Sequence, residues 1–284
     1  MPRQKQQELR PLRTTLETLS HIFVDQITAK HIAEVLEPCE QTDDAAEIKK
    51  YMEEKDYDVF GVITGGSIYG YVERSELKQG SCKQYEKTFH PSELVSANAP
   101  LIDVFLILRD VPRVFVLYGN AVEGIITRAD LQRGPVRLML YALTALLEVH
   151  LQRLIYIFHG DGSWEKVARP ERTSKAKKRY RVLSLRNESI DLVSCLQFID
   201  KANVLIFSRK MDKVRKRLGL AGRKSSETFF DRAKHLRDNL AHSHDLTIKL
   251  SWPDVVDLAV KMIQVIRACE EIEASPKPFM QDRF

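Results

Sequence analysis

The chain has 284 residues, 44% hydrophobic and 29% charged, with 44 basic against 39 acidic side chains and a net charge of +5. That length is comfortable for two domains, and the balance is that of a globular protein rather than a disordered or fibrous one. No uninterrupted apolar run approaches the roughly 20 residues that span a bilayer. The opening "MPRQKQQELRPLRTTLE" lacks the apolar centre of a signal peptide, so a cytoplasmic protein without a membrane partner is expected. The charge is unevenly divided. Residues 1–133 carry 16 Lys and Arg against 21 Asp and Glu, whereas residues 134–284 carry 28 against 18. A polyanionic partner is therefore expected to meet the rear half. Cys39, Cys82, Cys195 and Cys269 lie far apart in sequence with no Cys-x-x-Cys pair, which argues against a zinc ribbon or a disulfide scaffold.

Residues 1–19 read as an N-terminal extension. The next segment contains an internal repeat. "GYVERSEL" (70–77) aligns with "GIITRADL" (124–131), the glycines standing 54 residues apart, and the alignment extends backwards without a gap. Each copy predicts a helix ("AAEIKKYMEEK"; "PLIDVFLILRD") and a short apolar strand ("VFGVI"; "VFVLY"). A glycine turn, a second strand and a polar helix start follow in each. Units this small cannot each bury a face alone and are expected to pack as a pair.

This pattern resembles a tandem pair of CBS domains over about residues 20–136, with repeats at 20–80 and 89–136. The resemblance implies a regulatory adenine nucleotide (AMP, ATP or a relative) bound at Gly124, Thr127 and Asp130. The chemistry is compatible. An ionised Asp accepts both hydroxyl protons of a ribose, and a Thr where a strand gives way to a helix sits beside N–H groups that favour phosphate. The same two residues can also serve as a helix cap and its first-turn acid, with no ligand, but the repeat context favours the ligand role. In the first copy Glu73 and Glu76 replace the Thr and the Asp. Glu73 would set a negative charge where phosphate should lie, so one nucleotide site is expected rather than two.

Beyond "QRGPVR" the periodicity becomes helical. Residues 135–158 carry a stripe of Leu140, Leu143, Leu147, Leu151 and Leu154, interrupted by Glu148 and His150. Residues 159–181 read as a basic loop and about 187–218 as helical. "SSETFFDRAKHLRDNLAH" reads as a helix opened by serine caps, with Phe229, Ala233, Leu236 and Leu240 as its core stripe. A last helix runs from "SWPD" to about Ala274, with Val255, Leu258, Ala259, Met262 and Ile266 inward. The fold class is thus α+β: an N-terminal α/β pair followed, over 137–284, by an all-α bundle of four or five helices.

Arg237 and His242 enclose "DNLA" near the end of the penultimate helix. Five positions at 100° leave the two side chains about 140° apart on an ideal helix, so they share no face unless the helix ends between them or a second copy contributes. On a basic helical bundle this motif resembles the HEPN superfamily, over about residues 136–274. The resemblance implies a metal-independent endoribonuclease, a homodimer whose Arg and His meet across a cleft, and an RNA substrate. Carried onto this chain, the catalytic set is Arg237, Asp238 and His242, with Glu148 facing the same cleft. A His can act as the base or acid of RNA cleavage. An Arg supplies a cation that cannot be deprotonated, and Asp238 could orient a partner's His or Arg. Antiviral defence, stress response and toxin-like growth arrest all fit such an effector. No metal is expected at His235, His242 and His244, because no ligand spacing is matched. The alternative is a nucleotide sensor without catalysis, whose bundle dimerises or binds RNA through the basic runs Lys166–Arg186 and Arg209–Lys224.

Overall fold

A computed structural model describes residues 15–21, 26–186 and 190–280. Most of the expected N-terminal extension, and residues 187–189 of the expected helical region, lie outside the described residues. The chain forms two compact units, one of His21–Tyr141 with Leu236–Ala259, the other of Met1–Ser20, Ala142–His235 and Val260–Phe284. It is an α+β protein, with sheets in its front part and helices behind.

After α1 (Leu16–Ser20), the chain builds the β-rich unit. In order come β1 (Glu34–Val35), β2 (Pro38–Glu40), α2 (Ala45–Lys55), β3 (Val59–Thr64), β4 (Ser67–Glu73) and β5 (Lys87–Thr88). The second copy follows: β6 (Leu94–Ser96), α3 (Leu101–Ile107), β7 (Arg113–Tyr118) and β8 (Ala121–Thr127). The sheet orders are β2-β3-β4-β5 and β1-β8-β7-β6. In each, a helix carries the chain from a short strand to a parallel neighbour, and a tight turn returns it as an antiparallel one. The repeat extends to register. Val59 pairs with Glu73 and Arg113 with Thr127, and both hairpins are irregular at equivalent steps, Val62/Ile63 and Val116/Leu117.

The short strands β1 and β5 are exchanged between copies. β1 edges the second sheet beside β8, and β5 edges the first beside β4. This exchange explains the shared glycine. A Cβ on Gly70 would lie 2.6 Å from Lys87 O, and one on Gly124 would lie 3.1 Å from Glu34 O. Leu36, Val59, Tyr71, Phe115, Val122 and Ile125 form one apolar cluster that joins the two copies, as the pairing argument requires. The fold also brings two distant thiols together. Cys39 and Cys82 share the cluster beneath α2, and burial pushes both thiols above the usual range.

The remaining helices are α4 (Gly134–His159), α5 (Pro170–Ser184), α6 (Phe198–Phe207), α7 (Asp212–Arg217), α8 (Arg223–Ala241) and α9 (Trp252–Ala274). Every residue of the three sequence-derived stripes is buried. α4 is long and apolar enough to cross a membrane by length and composition, although no uninterrupted apolar run of that length exists. Within its most apolar window 56% is buried inside the protein. The polar interruptions of α4 are used internally. His150 is fully buried with Nδ1 2.6 Å from Glu273 of α9, and Glu148 lies 2.8 Å from Lys201 of α6.

Three sequence expectations are corrected here. Residues 159–181 are not a loop, because α5 occupies 170–184. Pro170 is suited to a helix's first turn, Lys, Arg and Ala are good helix formers, and only Thr173 and Ala176 bury, so charge masked the periodicity. The region 187–218 is broken into α6 and α7, with Ser208 extended between them. α8 begins at Arg223, before the expected serine caps. Ser226 lies inside the helix and its Oγ donates to Leu220 O and Gly222 O.

Candidate functional sites

β8 ends at Thr127, and a single 3-10 turn, Ala129–Gln132, follows. Asp130 folds back onto the strand end. Its Oδ2 accepts from Thr127 N at 2.7 Å and from Thr127 Oγ1 at 3.0 Å. Its Oδ1 lies 2.9 Å from Arg133 Nε, and the Asp130 side chain is only 6% exposed. Arg133 also pairs with Glu34 at the start of β1. Thr127 and Asp130 are therefore adjacent, as the sequence suggested, and their polar atoms are satisfied locally. Oδ2 has both lone-pair directions occupied by Thr127. Oδ1 is shared with Arg133. Gly124 stands upstream in mid-strand, where β1 approaches so closely that a Cβ would lie 3.1 Å from Glu34 O.

The equivalent place in the first copy is filled by charge. Glu73 pairs with Arg113 and lies 3.3 Å from Lys87, which in turn lies 2.6 Å from Glu76. Arg113 is the register partner of Thr127, so a residue of the second copy neutralises the first copy's departure from the repeat. Its guanidinium lies 5.2 Å from the Tyr71 ring centroid. Burial opposes ionisation of Glu73, but Arg113 and Lys87 together hold its carboxyl below the usual range. Glu73 does bring the negative charge expected of it. The expectation omitted the two cations that balance it.

α8 stops between the two halves of its motif. The helix runs to Ala241, leaving Arg237 and Asp238 on it and His242 just past the end. Arg237 Nη1 lies 3.7 Å from Asp238 Oδ1. Ser243 adopts the left-handed conformation at φ 55. His244 N donates to Asn239 O and Ser243 N to Leu240 O, a Schellman closure with serine where glycine is usual. The His242 and His244 rings, both on exposed residues, lie 5.7 Å apart.

Two residues that sequence reasoning missed hold this turn. Arg137, in the first turn of α4, donates through Nη2 to Asn239 O at 3.0 Å and to Leu240 O at 3.5 Å, and through Nη1 to His244 O at 2.9 Å. Gln132 donates to Asp245 Oδ1 at 2.6 Å and accepts from Leu246 N at 3.3 Å. The available signal was an arginine inside an otherwise apolar helix start, "PVRLML". Such a residue commonly has a dedicated acceptor. Glu148 belongs to the helical unit, where Lys201, a third missed residue, is its ion-pair partner with a side chain 4% exposed. Among the described residues no group of three or more His, Cys, Asp or Glu is arranged to hold a metal ion.

Residues 90–136 match the CBS domain family model. That segment contains Thr127 and Asp130, together with β6, α3, β7 and β8. Solved structures similar to this chain include CBS-domain proteins. An uncharacterised conserved protein from Pyrococcus horikoshii is 17% identical, over 38% of this chain and 90% of its own, with a TM-score of 0.34. The CBS domains of a transcriptional regulator from Streptococcus pneumoniae are 18% identical over 38% of this chain and 98% of their own, TM-score 0.33. CBSX2, solved in complex with AMP, is 15% identical over 37% of this chain and 92% of its own, TM-score 0.32. No curated protein matches the chain.

Proposed function

We propose that this chain is a nucleotide-regulated, metal-independent endoribonuclease, in which a CBS pair over residues 20–136 senses an adenine nucleotide and controls an HEPN-like site within 137–284. The observation that carries the catalytic part is the end of α8 after Ala241. An uninterrupted helix would hold Arg237 and His242 about 140° apart. With His242 beyond the helix, its ring is freed from that constraint. His242 acts as the base for the 2′-hydroxyl or the acid for the leaving oxygen. Arg237 stabilises the charge that builds on the phosphate. Asp238 orients an Arg or His of a second copy; Glu148, the fourth residue of the expected set, belongs to the other compact unit. The working species is a homodimer of about twice 32.7 kDa.

The regulatory part is supported by the CBS match over 90–136. A nucleotide enters at Thr127 and Asp130, and the ion network of Glu73, Arg113 and Lys87 occupies the equivalent place in the first copy. One observation favours the non-catalytic alternative, a sensor whose bundle dimerises or binds RNA: Glu148 is already committed to Lys201.

The deciding experiment incubates the purified chain with mixed RNA in EDTA, with and without AMP, ATP and cyclic oligonucleotides. Cleavage leaving 2′,3′-cyclic phosphate ends is expected. Arg237→Ala and His242→Ala should each lower the rate about 10²–10⁴-fold with RNA binding retained, while His235→Ala and His244→Ala have milder effects. Intact RNA under every nucleotide condition would establish the sensor reading instead.

A further inference from the structure

The 3-10 turn that carries Asp130 also carries Gln132, and α4 begins directly after it. Arg133 N donates to Asp130 O, and Arg137 N donates to Arg133 O, so the turn and the first turn of α4 form one hydrogen-bonded piece of backbone. Its side chains face two ways. Asp130 and Arg133 close on Thr127 and Glu34. Gln132 and Arg137 reach the segment Asn239–Leu246 and also touch one another, Arg137 Nη1 donating to Gln132 Oε1 at 3.3 Å.

Those contacts fall on the C-terminus of α8. A helix C-terminus leaves its last carbonyls without intrahelical partners. Here two of them, Asn239 O and Leu240 O, take the Arg137 guanidinium. Ser243 is held in a left-handed conformation that disfavours a residue with a side chain. Such a conformation persists only while the surroundings enforce it. Gln132 and Arg137 supply that enforcement from one side, and the Schellman bonds supply it from the other.

We propose that Gln132 and Arg137 are positioning residues that transmit the state of the Asp130 carboxylate to the turn after α8 that presents His242. When Oδ1 of Asp130 is taken by another partner, Arg133 loses its contact and the 3-10 turn shifts. Gln132 and Arg137 then release or re-aim the carbonyls of Asn239, Leu240 and His244. The consequence for RNA cleavage rests on the nuclease reading above. The mechanical link does not.

Hydrogen exchange of the full chain, read on the peptide spanning residues 239–246, tests the link without a substrate or a ligand. Asp130→Asn should raise exchange in that peptide about fivefold, the loss of roughly one hydrogen bond. Gln132→Ala should raise it similarly. The Asp130→Asn/Gln132→Ala double variant should show no more than the larger single effect, because the two lie on one path. Arg133→Gln, a change at a partly exposed side chain, is the second probe should Asp130→Asn fail to fold. Unchanged exchange at 239–246 in both Asp130→Asn and Arg133→Gln, or effects that multiply in the double variant, would overturn the proposal. Calorimetry with AMP and RNA cleavage, run on the same samples, report separately on the functional reading. A wild-type chain that neither binds AMP nor cuts RNA removes that reading and leaves the exchange result to decide the link.

Discussion

Removing the Glu148 carboxylate tests whether it is needed for folding before it is needed for chemistry. The Lys201 ammonium, on a side chain 4% exposed, lies 2.8 Å from Glu148 Oε1. Glu148→Ala leaves that ammonium buried without its counter-charge, a loss of about 3–5 kcal/mol when one partner of a buried pair is deleted. Glu148 is itself 23% exposed, so water can reach the vacated space and the lower end, about 3 kcal/mol, is expected. At a urea slope of about 3 kcal/mol/M this moves the midpoint by about 1 M. The two compact units need not unfold together, so the probe should sit in the helical one. Trp164 is buried there, and a Trp252→Phe background isolates its fluorescence, because the chain has only two tryptophans. Glu148→Gln, which keeps an acceptor of the same shape, should lose less. Glu148→Leu with Lys201→Met should recover most of the loss, because an apolar pair needs no counter-charge. A midpoint shift below about 0.3 M for Glu148→Ala, or equal losses for Ala and Gln, would refute the reasoning.

Calorimetric titration with AMP should show binding abolished by Asp130→Ala and little changed by Glu76→Ala; equal losses would defeat the one-site arrangement. Arg113→Ala should destabilise the β-rich unit by about 2 kcal/mol, because Glu73 would keep only Lys87 as a counter-charge; urea unfolding followed by circular dichroism would measure it. His159 is buried between Ser163 and Ser208, and burial first, then Lys210, lowers its pKa below 6.5. The unfolded chain therefore binds the proton more readily, so this contribution is complete above pH 6.5 and is lost as the pH falls toward the depressed folded value. Thermal melts between about pH 7.5 and 5.5 should show a shallower decline for His159→Gln than for the wild type.

Much of the β-rich unit was readable from sequence, because a repeat constrains itself. A 54-residue offset, recognised from two glycines and an apolar pattern, carried over to strand registers and to a matching irregularity in each hairpin. α4, α8 and α9 were also legible, since a buried stripe at helical spacing is a local signal. α5 was not, because its buried face is two small residues among lysines and arginines.

The candidate sites divide in the same way. Thr127 and Asp130 are three residues apart, so their contact follows from local chain geometry, and an end of α8 between Arg237 and His242 was one of the two arrangements that the helix angle left open. The pairing of Glu73 with Arg113 depends on the packing of one copy against the other, 40 residues on. The grip of Arg137 on the α8 terminus joins residues more than 100 positions apart. Periodicity identifies which face of an element is apolar. A long polar side chain leaves no periodic trace of the carbonyl or carboxylate that it reaches. Those partners were decided only by tertiary structure, because a buried or half-buried polar group takes whatever acceptor the packed backbone brings within about 3 Å.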